Sequence, residues 1–124
     1  MNASAHPVRG IGFQLFVRYV ADVAVVDLLG KATIGWANDL LDKQLRRLID
    51  EGNGKILLNL ADVTQMDSSS ISSVIRAFKS LKGRGASLRL LRPQGNVRLV
   101  LETVHLLDLV PTIDDGNQAI ASFQ

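Results

Sequence analysis

The chain has no cysteine among its 124 residues. That excludes a disulfide scaffold and thiolate metal centres, and it fits a reducing compartment, the cytoplasm. It has no apolar run near the roughly 18 residues a membrane helix needs, because Asp22 and Asp27 interrupt the most hydrophobic stretch, residues 13–29. No membrane partner is expected. Asn2, Ser4, His6 and Arg9 deny the N-terminus the apolar segment of a signal peptide. An excess of one charge is also lacking: the net charge is +2, and despite a pI near 9.3 the basic residues are spread along the chain. Without a basic stripe, no nucleic-acid partner is expected. Hydrophobic residues at 47% and charged residues at 21% match an ordinary globular domain. The length suits one domain, able to bury roughly two thirds of the surface its unfolded chain exposes.

Residues 1–10 are polar and broken by His6-Pro7 and Gly10, and read as a flexible tail before a domain over residues 11–124. FQLFVRYV (13–20) and VAVVDLL (23–29) read as two strands joined by Ala21-Asp22 and paired as a hairpin. The period then changes: Trp36, Leu40, Leu41, Leu45, Leu48 and Ile49 lie on one face of a helix that stops at Gly52. ILLNL (56–60) is short and almost wholly apolar, as a strand covered on both faces would be, and Ala61–Asp67 reads as a loop. A second helix carries Ile71, Val74, Ile75, Phe78 and Leu81 and ends at Gly83-Arg84-Gly85. A strand at 87–91, a helix at 97–104, a short edge strand at 110–113 and a last helical turn at 117–123 complete the chain. Strands alternating with helices after a hairpin predict an α/β fold, a mixed but mostly parallel sheet of four to five strands with helices packed against it. Its useful surface should lie beyond the carboxyl ends of the strands.

Catalytic chemistry is hard to assemble from these residues. A nucleophilic serine needs a base, and the two histidines are His6, in the tail, and His105, at a helix end where a cation is favoured. No Gly-x-Ser-x-Gly elbow occurs, and the glycine pairs are turns, not phosphate cradles. Asp114-Asp115 reads as charge and capping before the last helix. Neither a metal site nor a cofactor site is found, and no enzyme is expected. Phe16, Tyr19 and Trp36 read as core aromatics, and Arg76, Lys79, Lys82 and Arg84 as the solvated side of the second helix.

What stands out is MDSSSISS, residues 66–73. Capping a helix needs one Asp or Ser, and the extra serines lower helix propensity in the first turn. Two readings remain open: pure capping, or an exposed hydroxyl that accepts a phosphate, which the helix N-terminus would favour and which would repel a docked partner.

The stretch KILLNLADVTQMDSSSISSVIRAFKSLKGRGASLRLLRP, followed by NVRLVLETVHLLDLVPTIDD, closely resembles the bacterial anti-sigma factor antagonist family, the STAS domain, over roughly residues 13–123. The resemblance implies a switch at the serine directly after the aspartate, Ser68, with Ser69 as the alternate. It implies contact with the partner through Thr33, Met66, Asp67, Ser69, Ser70, Ile71 and Val74. The implied partners are an anti-sigma factor that is also a serine kinase of histidine-kinase-like ATPase fold, and a metal-dependent serine phosphatase. The chain itself is expected as a monomer or weak homodimer. The unphosphorylated antagonist would bind the kinase and free a sigma factor for transcription. The sequence departs from the family at two places: Ser70 stands where glycine is usual, putting a side chain where a partner's backbone comes close, and Thr33 stands roughly where many phosphorylated members carry an acid. The alternative is a constitutive STAS interaction module of a stress-signalling scaffold or lipid-transport complex, whose serines only cap.

Overall fold

Two strands open the part of the chain, residues 12–124, that the computed structural model describes. The expected tail, with His6, lies outside it. β1 (Phe13–Val20) and β2 (Val23–Ala32) form an antiparallel hairpin, from Phe13 opposite Gly30 to Val20 opposite Val23. Ala21, in the two-residue turn, takes φ 53, the left-handed conformation that lets a tight hairpin turn follow the twist of its strands. At the other end Gly30 has φ 94, and a Cβ there would lie 2.0 Å from the Gly12 carbonyl oxygen. Only glycine allows that approach.

Helix α1 (Trp36–Asp50) buries Ala37, Leu41, Leu45, Leu48 and Ile49, a stripe at helical spacing. Then follow β3 (Lys55–Met66), α2 (Ser68–Gly83), β4 (Ser87–Leu91), α3 (Gly95–Thr103), α4 (Leu106–Leu109), β5 (Thr112–Ile113) and α5 (Gly116–Ala121). The strands lie in the order β1-β2-β3-β4-β5; all pairs after the hairpin are parallel. This is the expected α/β domain, with a five-stranded mixed sheet.

Successive residues of a strand face opposite sides of a sheet, and the strands here are apolar on both. Ala24, Val26, Leu28, Ile56, Leu58, Leu88 and Leu90 join α1, α2 and α3 in the main core. Val23, Val25, Leu57 and Leu91 face the other way, where α5 covers them with Ala119 and Ile120. Helices therefore pack on both faces.

Three sequence expectations need correction. Residues 61–66 are not a loop: β3 runs on to Met66, paired with an equally extended β2 through Leu29↔Asp62, Gly30↔Val63, Lys31↔Gln65 and Ala32↔Met66. Two register shifts, between Asp27 and Leu29 and between Gly30 and Lys31, interrupt the period-two pattern that would have marked it. Tyr19 and Trp36 are exposed instead of core, and Phe16 is half-buried; the buried aromatic is Phe13, whose ring meets that of Trp36 edge-on at 6.1 Å. Finally, α4 is a four-residue helix that no periodic pattern announces, entered through His105 at φ 61. Other readings agree: Asp115 caps α5 by accepting from Asn117 N and Gln118 N, and Arg84-Gly85 closes α2. Among the described residues no helix is long and apolar enough to cross a membrane.

Candidate functional site

The carboxyl ends of β2 and β3 bring Thr33 and Asp67 together. Asp67 links them: its Oδ2 accepts from Ile34 N at 2.7 Å, just beyond β2, and its Oδ1 accepts from Ser69 N at 3.1 Å, Ser70 N at 3.3 Å and Ser69 Oγ at 2.5 Å, in the first turn of α2. One carboxylate thus satisfies orphan N–H groups of the helix and also fixes the β2–α1 connection. Partial burial disfavours the charged form of Asp67, but hydrogen bonds from the Ser69 hydroxyl and the Ile34, Ser70 and Ser69 amides outweigh it and hold the carboxyl below its ordinary value.

The serines divide the work. Ser70, 0% exposed, donates to Asp67 O at 3.0 Å and accepts from Asp67 N at 3.3 Å, completing a capping box. Ser73, also buried, donates to Asn38 Oδ1 at 3.0 Å and accepts from Arg76 Nη2 at 3.1 Å, tying α2 to α1. Ser69 is half-buried and clamped to Asp67, whereas Ser68 and Ser72 are exposed. The helix dipole and the Ser68 hydroxyl therefore meet at an accessible point of the helix mouth.

The three apolar residues expected to touch a partner are buried in this structure. Val74 is 0% exposed, and Met66 and Ile71 are buried too, all three within the main core. Their role is to seat the first turn of α2 on the sheet. Ser70 is buried as well, its side chain turned inward to the cap. Thr33, Asp67 and Ser69 remain partly exposed. A residue the motifs do not mark stands out in their place, Ile34 at 79% exposed, with Gly35 and Trp36 beside it. Its signal in the sequence is that it belongs to neither the strand alternation before it nor the helical face after it.

Among the described residues no group of three His, Cys, Asp or Glu side chains could hold a metal ion. The geometry offers a capped helix end with an exposed hydroxyl and an exposed isoleucine, a surface suited to contact.

The profile of the STAS domain family matches residues 20–119. The chain belongs to the STAS domain family. Its STAS domain is 32% identical over 76 residues to a Thermotoga neapolitana protein named as an anti-sigma factor antagonist, covering 61% of this chain and 67% of the relative. A Thermotoga maritima protein of known crystal structure, named as an anti-sigma factor antagonist, superposes with a TM-score of 0.78 at 28% identity, covering 88% of this chain and 93% of the other. The phosphorylated form of the Bacillus cell fate determinant SpoIIAA gives a TM-score of 0.71 at 20% identity, with 89% and 99% covered; at that identity the likeness is one of fold. STAS anti-sigma factor antagonists are regulatory binding proteins, not enzymes.

Proposed function

We propose that this STAS domain is a cytoplasmic anti-sigma factor antagonist that docks through the mouth of α2 and the β2–α1 connection and is switched off by phosphorylation of Ser68. The observation that carries the reading is the exposure of Ser68 at the start of a sixteen-residue helix whose other first-turn serines are turned to structural use. The partner is an anti-sigma factor that is also a serine kinase, and a serine phosphatase resets the switch. Unphosphorylated, the rim of Thr33, Ile34, Ser68 and Ser69 presents an apolar anchor among uncharged hydroxyls. Phosphate on Ser68 adds about 1.5 to 2 negative charges next to the Asp67 carboxylate, which is itself held in its charged form. A partner that buries Ile34 would then have to desolvate that charge, and binding fails.

Thr33 gives this side of the rim a partly exposed, uncharged hydroxyl. Asp67 is fully engaged in hydrogen bonds, so its part is to hold the helix mouth open toward the kinase. Incubation with the cognate kinase and ATP, followed by peptide mapping, should find the phosphate on Ser68. Absence of phosphate there, with partner binding unchanged in Ser68→Asp, would discard the switch.

The rival reading, a constitutive module whose serines only cap, draws on the Asp67–Ser70 capping box. It leaves Ser68 without a task. It predicts stable co-purification with non-kinase partners that Ser68→Asp leaves intact.

A further inference from the structure

We propose that the edge of β1 pairs antiparallel with β1 of a second copy of this chain, joining the two sheets across a two-fold axis. This rests on the sheet edge alone and stands whether or not Ser68 carries phosphate.

Among the described residues the sheet ends at β1 on one side and β5 on the other. Strand edges expose unpaired N–H and C=O groups, and proteins blunt them with shortness, proline, bulges or charge. β5 is blunted: it has two residues and follows Pro111. β1 is not. It has eight residues, FQLFVRYV, pairs with β2 without a register shift, contains no proline, and carries one charge, Arg18, already bonded to Asp27 at 2.6 Å.

The main-chain pattern fixes which groups point away from β2. Lys31 N donates to Gly12 O at 2.9 Å, so Gly12 and Lys31 form a hydrogen-bonded pair. The register then assigns Gln14, Phe16, Arg18 and Val20 to the ladder with β2, and the N–H and C=O groups of Phe13, Leu15, Val17 and Tyr19 point away from it. Leu15 and Val17 pack on the main core but stay half-buried, and Tyr19 is 56% exposed. An added strand would cover this margin.

A second β1 fits the edge in register. With the two-fold axis at Phe16, Leu15 lies opposite Val17 of the second copy, Phe13 opposite Tyr19, Gln14 opposite Arg18, and Phe16 opposite itself. Every outward main-chain group finds a partner, an apolar residue meets an apolar or aromatic one, and the two arginines are never opposite each other. The contact is narrow, so association should be weak and reversible.

Sedimentation of the full chain over a concentration series should show a monomer–dimer equilibrium. In Val17→Pro the outward N–H is lost and the ladder to β2 is spared, so the dimer dissociation constant should rise at least tenfold with the circular dichroism spectrum unchanged. A second variant covers the case in which proline disturbs folding. The natural chain has no cysteine, and Phe16 would face its own copy in a non-hydrogen-bonded pair with Cβ atoms about 4.5–5.5 Å apart, near disulfide reach. Phe16→Cys should therefore oxidise to a linked dimer much faster than Asp50→Cys, at an exposed position on α1. A monomer at all concentrations, a dimer indifferent to Val17→Pro, or cross-linking no faster at Phe16 than at Asp50 would overturn the proposal. So would a dimer that forms only after removal of residues 1–11, which would give the edge to that segment.

Discussion

Asp67 does two things at once, and both follow from its charge. Since its folded pKa lies below its ordinary value, about 3.9 in an unfolded chain, the charge contributes stability that is present above that pH and is lost as the pH falls through the folded pKa. Asp67→Asn keeps an acceptor oxygen and removes the charge. Its destabilisation relative to wild type, measured by urea unfolding, should be largest near neutral pH and vanish under strong acid; a constant difference across the range would show that the charge has no such role. Ile34 is the complementary case, an apolar side chain with no core to join. Ile34→Ser should leave unfolding within about 0.5 kcal/mol of wild type and weaken partner binding at least tenfold by calorimetry. A loss of stability instead would mean Ile34 packs where the structure leaves it exposed. Both residues show what the sequence could and could not disclose. Asp67 was legible as a cap because Asp before a helical pattern is a local signal, but its bond to Ile34 N spans 33 positions and has none.

Helix α2 carries the proposed switch on its first turn. Its length, its buried face and its glycine stop could be read from spacing, whereas the partition of its serines could not, because cap, helix tie and exposed hydroxyl are the same residue type and differ only in the neighbours that folding supplies. Ser70→Gly restores the residue usual in the family at that position and removes the capping box. We expect a loss of about 1–2 kcal/mol, faster amide exchange confined to the first turn, and phosphate incorporation at Ser68 unaltered. Unchanged stability would mean the Ser70 hydroxyl contributes nothing. The β2–β3 ribbon teaches the opposite lesson. Its far half looked like a loop since Asp62, Thr64 and Gln65 are polar and exposed; pairing with β2 through two register shifts makes it a strand, and that pairing is invisible to a reading of one segment at a time.

At the scale of the whole molecule the architecture was the most legible feature, because alternating strand and helix periods admit few topologies. The placement of α5 on the second face was less so: six residues carry little periodicity, and only the apolar character of Val23, Val25 and Leu57 on that face called for a cover. The sheet so covered is a rigid platform, with its core behind α1, α2 and α3 and its working surface at the ends of β2 and β3. The proposed switch requires no movement of this platform, only charge placed on Ser68. The most direct test is a calorimetric titration of the purified anti-sigma kinase into wild type, Ser68→Ala and Ser68→Asp. The account predicts that Ser68→Ala binds as wild type does and that Ser68→Asp binds at least tenfold more weakly, with equal folded stability in all three. Equal affinity of Ser68→Asp and wild type would contradict it.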